Sequence, residues 1–189
     1  MIPSPQERRY RLREKRIVEQ ARQIAESERW ASVTTRRLAQ EINHSQPVIY
    51  QHFRSRDQVV DAVVTRGFLE LTALIRGAAS ASGDALKQLC WSYLDFGRQN
   101  PALYEAMFTS PTDLRFAHED TPAELQESFE ALTGVIRQET GTMSSNDAAT
   151  LTELFWATCH GLTSLHLTGR IPETHLQAQI ERICTMIRS

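Results

Sequence analysis

Cysteine is scarce in this 189-residue chain, which has only Cys90, Cys159 and Cys184. Their wide spacing matches neither a zinc-ligand pattern nor a disulfide framework. Each falls in an apolar helical stretch, so a small buried hydrophobe is the expected role rather than a redox one. Glycine (8 residues) and proline (7) are too few for a disordered or fibrous chain. No apolar run reaches the length of a membrane span. The basic N-terminus, MIPSPQERRYRLREKR, leads into no apolar signal segment. A cytoplasmic protein with no membrane partner is expected. Strand alternation and hairpin turns are also missing, so no glycine-rich phosphate loop can follow a strand. The histidines His44, His52, His118, His160, His166 and His175 are scattered, and none forms a His-Glu-x-x-His metal motif. Cys159 and His160 are neighbours in sequence, but neighbouring helical residues point in different directions. These absences argue against an enzyme, and no catalytic residue, cofactor or metal is expected.

What is present begins with an uneven charge. The formal net charge is -2. Residues 1–60 carry 12 Arg/Lys against 7 Asp/Glu, and residues 61–189 carry 9 against 16. A head of +5 therefore precedes a body of -7, which can steer the head toward a polyanion. The 19 arginines against 2 lysines fit genomic composition as readily as chemistry.

Periodicity near 3.6 residues recurs almost end to end and predicts an all-α chain. Ile17, Ala21, Ile24 and Ala25 share one face of a first helix over about 8–28, with Trp30 as the apolar plug of the next turn. Thr34 is placed to cap a short second helix, which Leu38, Ala39 and Ile42 turn inward. Asn43 sits where the chain must turn, and Ser45 is the expected cap of a third helix over about 46–52. Ser55 caps a fourth helix to about 76, and Gly77 to Gly83 reads as a loop. Further helices are expected over about 84–99, 101–108 and 122–139, then from a cap at Asn146 to about 168. Pro172 opens the last one. The result is about nine helices. An N-terminal three-helix helix-turn-helix domain (8–54) precedes a helical bundle for ligand binding and dimerisation (55–189).

Helix, tight turn and helix over Thr34–Phe53 form a minimal helix-turn-helix, whose second helix can enter the DNA major groove. Gln46 can pair bidentately with adenine, and Pro47 offers apolar surface to a thymine methyl. Arg36 can reach guanine or a phosphate. Thr35, Ser45, Tyr50, His52 and Arg56 surround this surface as candidate phosphate contacts. Each also has a plain structural reading: a half-buried Tyr50, a helix-end His52, a solvated Arg36.

Residues 16–63 resemble the DNA-binding domain of the TetR family of bacterial transcriptional repressors. The resemblance rests on Ile17, Ala21, Trp30, Val33-Thr34-Thr35, Leu38-Ala39, Ser45, Ile49-Tyr50, His52-Phe53, Arg56-Asp57 and Val59. The run Thr34–Gln40, with Gln46, Pro47 and Tyr50, especially resembles the tetracycline repressor. That resemblance implies base contacts from Arg36, Gln46 and Pro47. It places Thr35, Val48, Tyr50, His52 and Arg56 at or near the DNA backbone, and Gln51 belongs to the same candidate DNA face. Departures are Arg29 and Trp30 where the family usually has glycine and then Phe or Tyr, and Asn43-His44-Ser45 for the usual Gly-Val-Ser turn.

The body resembles a C-terminal subclass of the same family with a Trp-His-Gly motif, here Trp156, His160 and Gly161. The resemblance implies an apolar cavity whose ligand weakens DNA binding. Candidate lining residues are Trp91, Phe96, Tyr104, Met107, Phe108, Phe129, Phe155, Trp156, His160 and Ser164. A small apolar or amphipathic effector would suit them. Leu151, Phe155 and Leu162, with the stripe Leu176, Ile180, Ile183 and Ile187, either complete the bundle or meet a second copy in a four-helix contact. The expected protein is thus a homodimeric, ligand-responsive repressor of a palindromic, double-stranded operator. A helical dimer that binds only protein is the rival reading.

Overall fold

The computed structural model describes residues 4–80, 83–109, 121–141 and 144–189. The polar connection read at 110–120, with His118, lies outside the described residues, as do parts of two expected turns. The described residues are all-α, with nine α-helices and two short 3-10 turns. No described helix is long and apolar enough to cross a membrane.

Helix α1 (Pro5–Glu28) begins at Ser4, whose hydroxyl accepts from the Glu7 amide at 3.2 Å while the Glu7 carboxylate accepts from the Ser4 amide at 2.6 Å. This reciprocal cap satisfies two otherwise free donors. The helix stops at Arg29, with φ 73° and ψ 164°, a conformation that suits glycine and strains any other residue. A 3-10 turn over Trp30–Ser32 follows. Helix α2 (Thr35–Glu41) is capped as expected, Thr34 Oγ1 accepting from the Arg37 amide at 3.1 Å. Asn43 then makes the turn at φ 57°, which asparagine tolerates better than most residues. Helix α3 (Gln46–Tyr50) is shorter than expected. Ser45 occupies its cap position, but its hydroxyl makes no capping bond.

Helix α4 (Arg56–Ser80) runs through Gly77. The loop expected from Gly77 therefore begins later, because one glycine costs a helix only about 1 kcal/mol and Ile75 and Ala78 bury on either side of it. Helices α5 (Ala85–Gln99), α6 (Pro101–Phe108), α7 (Ala123–Thr140), α8 (Ser145–Leu167) and α9 (Leu176–Arg188) complete the chain. The cap of α8 is Ser144, not Asn146: its hydroxyl accepts from the Asp147 amide at 3.1 Å. Pro172 precedes a 3-10 turn over Glu173–His175 rather than opening α9 directly.

The helices pack as two compact units. The first runs to Gly67 and adds α6 from Ala102; the second holds Phe68–Pro101 with α7, α8 and α9. In the first unit Ile17, Ala21, Val33, Leu38, Ile42, Ile49 and Val59 form the core. Helix α6 docks here by its N-terminus. The Glu26 carboxylate accepts from the Ala102 and Leu103 amides at 2.9 and 3.0 Å, and the Trp30 indole N–H donates to the Ala102 carbonyl at 2.7 Å. Gly67 lets α4 approach α6, since a Cβ there would lie 2.6 Å from Met107 Sδ. In the second unit Arg188 ties three helix ends together. Its guanidinium donates to Asp84 at 2.6 and 3.0 Å and to Glu139 at 2.6 and 3.0 Å. Asp84 also caps α5, and the Arg188 guanidinium holds its carboxyl below the usual range.

Candidate nucleic-acid interface and apolar cavity

Helix α3 owes its place to two contrasting sides. Ile49 is fully buried beneath it, while Ser45, Gln46, Pro47, Tyr50 and Gln51 are exposed and Val48 is half-buried. Tyr50 is 52% exposed despite its ring, and its hydroxyl lies 3.4 Å from that of Thr35. That contact links the start of α2 to the end of α3. Arg36 is exposed on α2. The structure therefore gathers Thr35, Arg36, Ser45, Gln46, Pro47, Val48, Tyr50 and Gln51 around one outward helix pair. Such a face offers amide and guanidinium donors for base edges, and hydroxyls for phosphates.

Two expected members sit elsewhere. The His52 side chain is buried, stacked on Tyr10 with ring centroids 4.0 Å apart. Neither ring nitrogen has a hydrogen-bond partner. Burial lowers its pKa, with the Glu14 carboxylate 3.9 Å away acting in the opposite direction. A neutral imidazole packed against a phenol is a structural element, and it presents no donor at the surface. Tyr10 in turn donates to the Gln51 carbonyl at 3.0 Å, fixing α1 to the end of α3. Arg56 is likewise engaged. It donates to the Val33 carbonyl at 2.8 Å and the Trp30 carbonyl at 2.7 Å, bracing the 3-10 turn. Arg37, not singled out from sequence, pairs with Glu28 at 3.1 Å and Glu41 at 3.0 Å, so its charge is spoken for within the head.

The second unit holds a partly open cavity of about 50 Å³. Phe68, Leu71 and Ile75 of α4, Leu89 and Tyr93 of α5, Leu125, Ser128, Phe129 and Leu132 of α7, and Phe155, Trp156 and Cys159 of α8 line it. Its polar groups are turned on one another. Trp156 donates to the Tyr93 hydroxyl at 3.1 Å, and Ser128 bonds Thr72 and the Phe68 carbonyl. What faces the space is apolar.

Of the candidate lining residues, Phe129, Phe155 and Trp156 meet at this cavity. Trp91 instead borders a shallow groove with Leu74 and Gln88. Tyr104, Met107 and Phe108 belong to the first unit, where the Tyr104 and Phe108 rings lie 4.8 Å apart. Phe96 is buried, and His160 and Ser164 are half-buried; none of the three lines the cavity wall. Burial lowers the His160 pKa. Sequence reasoning missed the α4 contribution because the periodicity of Phe68 and Leu71 marks burial without separating a cavity wall from packed core, and Ile75 is not singled out. Ser128 carried a usable signal, a polar residue set in the apolar flank Leu125, Phe129 and Leu132.

The dimer candidates divide similarly. Leu176, Ile180, Ile183, Ile187 and Phe155 are buried within the chain's own core, and Leu151 and Leu162 are half-buried. The large apolar side chains left exposed on α8 and α9 are Leu154, Leu165, Leu167 and Met186.

Known proteins agree with this architecture. Residues 17–63 match the family described as bacterial regulatory proteins, tetR family, and residues 86–187 match the tetracyclin repressor-like C-terminal domain. The HTH-type transcriptional regulator Rv0681 of Mycobacterium tuberculosis is 26% identical over 162 residues, 84% of this chain and 72% of that protein. The solved structure of SCO4313 superposes with a TM-score of 0.76 at 18% identity, covering 95% of this chain and 98% of that one. BioQ, solved with its double-stranded DNA operator, superposes with a TM-score of 0.64 at 18% identity, covering 93% and 97%. The two matched segments take in both the helix-turn-helix and the bundle that holds the cavity, and the chain belongs to the TetR family of bacterial regulatory proteins.

Proposed function

We propose that this DNA-binding transcriptional regulator is a cytoplasmic homodimeric repressor. It reads a palindromic operator through α3 and is released by a small apolar effector held in the cavity of the second unit. The observation that carries the reading is the exposure of Gln46, Pro47 and Tyr50 above a fully buried Ile49. Gln46 and Arg36 supply base recognition, and Ser45, Thr35 and Tyr50 supply phosphate contacts. His52 and Arg56 act indirectly, by holding α1 and the 3-10 turn against the helix-turn-helix.

Dimerisation uses the outward face of α8. Leu154, Ala157, Thr158, Gly161 and Leu165 recur at offsets 0, 3, 4, 7 and 11, one helical stripe. Leu154 is 59% exposed. A palindrome follows from the twofold symmetry of such a pair, with half-sites about one helical turn, roughly 34 Å, or a multiple apart. An effector acts only through a difference in affinity for the DNA-competent and released states. The Trp-His-Gly reading of Trp156, His160 and Gly161 fits, in that Trp156 lines the cavity while Gly161 belongs to the outward stripe.

Genomic footprinting of the bound sites tests the proposal. It predicts inverted repeats upstream of regulated genes, with protection lost in Gln46→Ala. Protection of sites without dyad symmetry would refute the palindromic dimer.

A further inference from the structure

The three cysteines, far apart in sequence, converge in the second unit. Cys90 of α5, Cys159 of α8 and Cys184 of α9 are all buried free thiols. The sulfurs of Cys90 and Cys159 are 3.7 Å apart, and Cys90 also hydrogen-bonds Cys184. Only Cys159 belongs to the wall of the apolar cavity. Cys159 thus lines the space where a small molecule can sit, and the Cys90 sulfur is 3.7 Å from its own.

We propose that Cys159 and Cys90 are a redox-active pair whose oxidant is an organic hydroperoxide admitted through the cavity. The Cys159 sulfur attacks the terminal oxygen of R–O–OH. The O–O bond breaks, leaving Cys159 as a sulfenic acid, and the departing alkoxide takes the proton from the Cys159 thiol to become ROH. The Cys90 sulfur then attacks the sulfenyl sulfur. The S–O bond breaks, and hydroxide leaves with the Cys90 proton as water. Two thiols lose two electrons, and one hydroperoxide becomes an alcohol and water. Closing the bond brings the sulfurs from 3.7 Å to about 2.05 Å, joining α5 to α8 beside the cavity.

The order of attack follows from the cluster. Cys184 is held above the usual thiol range first by its hydrogen bond to Cys90. Cys90 is pushed up first by its bond to Cys159, and burial adds to it. Cys159 is the one cysteine of the three that lines the cavity, so the peroxide meets it first, and Cys90, 3.7 Å away, is the resolving thiol. An apolar wall favours an alkyl-bearing peroxide over hydrogen peroxide, which would enter stripped of its hydrogen bonds.

The thiol chemistry stands on the cluster itself; only its effect on DNA rests on the effector reading above. The test treats the reduced full chain with tert-butyl hydroperoxide and measures intact mass, mapped disulfides and retention of an operator fragment. The expected result is loss of two hydrogens, a mapped Cys90–Cys159 bond, and release of the fragment that dithiothreitol reverses. Cys159→Ala should abolish all three. Cys90→Ser should stop at a sulfenic acid on Cys159 that dimedone traps, and Cys184→Ser should still form the bond. Hydrogen peroxide at equal concentration should react at least about tenfold more slowly. A disulfide mapped to another pair, no loss of hydrogens, or equal rates with both peroxides would overturn the pair. A Cys90–Cys159 bond that leaves DNA retention unchanged would overturn its regulatory effect alone. Reduced protein that never retains the fragment would instead overturn the repressor reading.

Discussion

Arg29 shows how one side chain can carry the cost of a turn. Its φ of 73° with ψ of 164° is a region that glycine enters freely and other residues enter under strain of order 1–3 kcal/mol. Replacing Arg29 with glycine relieves that strain while adding back unfolded-chain entropy. The net stabilisation expected is about 1 kcal/mol, read as a higher urea midpoint at unchanged slope. A lower midpoint would mean the side chain contributes more than its backbone costs. At the same scale the engaged and the outward side chains of the head part ways. Arg56→Ala should lower thermal stability, because it removes the guanidinium donors to the Trp30 and Val33 carbonyls. Arg36→Ala should leave the melting temperature unchanged and weaken operator binding by about 1–3 kcal/mol. Matching melting temperatures in both variants would contradict this division. The sequence could mark both arginines as near the DNA. It could not tell which already had carbonyl partners, since those lie more than twenty residues away.

Elements were legible where their signals are local. Thr34 caps α2, Ser55 bonds the Gln58 amide at the start of α4, and Asn43 takes the turn, all as periodicity and cap chemistry predict. Signals failed where tertiary contacts decide. The cap of α6 is Glu26, from α1, which no local motif announces. Glu26→Ala should cost about 1–2 kcal/mol by leaving two helix-end amides without their carboxylate; an unchanged melting curve would remove α6 from the head's stabilising contacts. His52 also belongs at this scale, because its buried ring packs just after α3 against Tyr10 of α1. Its folded pKa lies below the unfolded value near 6.5, so the unfolded chain binds the proton more readily. Stability from a neutral His52 is therefore complete above pH 6.5 and falls as pH drops through that value toward the lowered folded one. Melting temperatures between pH 7.5 and 5.5 should fall more steeply in the parent than in His52→Phe, which keeps the stack and cannot titrate. Parallel slopes would show that the ring is hydrated.

At the scale of the whole molecule the divided charge and the divided packing meet. The chain carries -2 overall and a dimer -4, so attraction to DNA is local to the +5 heads and steeply salt-dependent. The α9 stripe shows why interface residues were harder to read than fold. Leu176, Ile180, Ile183 and Ile187 have the periodicity of an interface, yet the chain's own core takes them; periodicity reports burial and not what does the burying. Leu154→Arg with Leu165→Arg should therefore yield folded monomers in sedimentation, whereas Ile180→Asp should unfold the bundle. Dimers that survive both arginines would move the interface elsewhere. The cavity followed the same rule. Phe129, Phe155 and Trp156 were legible, but Tyr93 and the wall from α4 depended on how those helices pack.

The outward face of α3 is where operator recognition is proposed to lie, and operator affinity measures it directly. Affinity for an operator fragment recovered by footprinting is compared between the parent and Gln46→Ala, alongside affinity for unrelated DNA at the same salt. Loss of about tenfold or more for the operator, with unrelated DNA bound as before, is the predicted result. Equal operator affinity in the two proteins would contradict it.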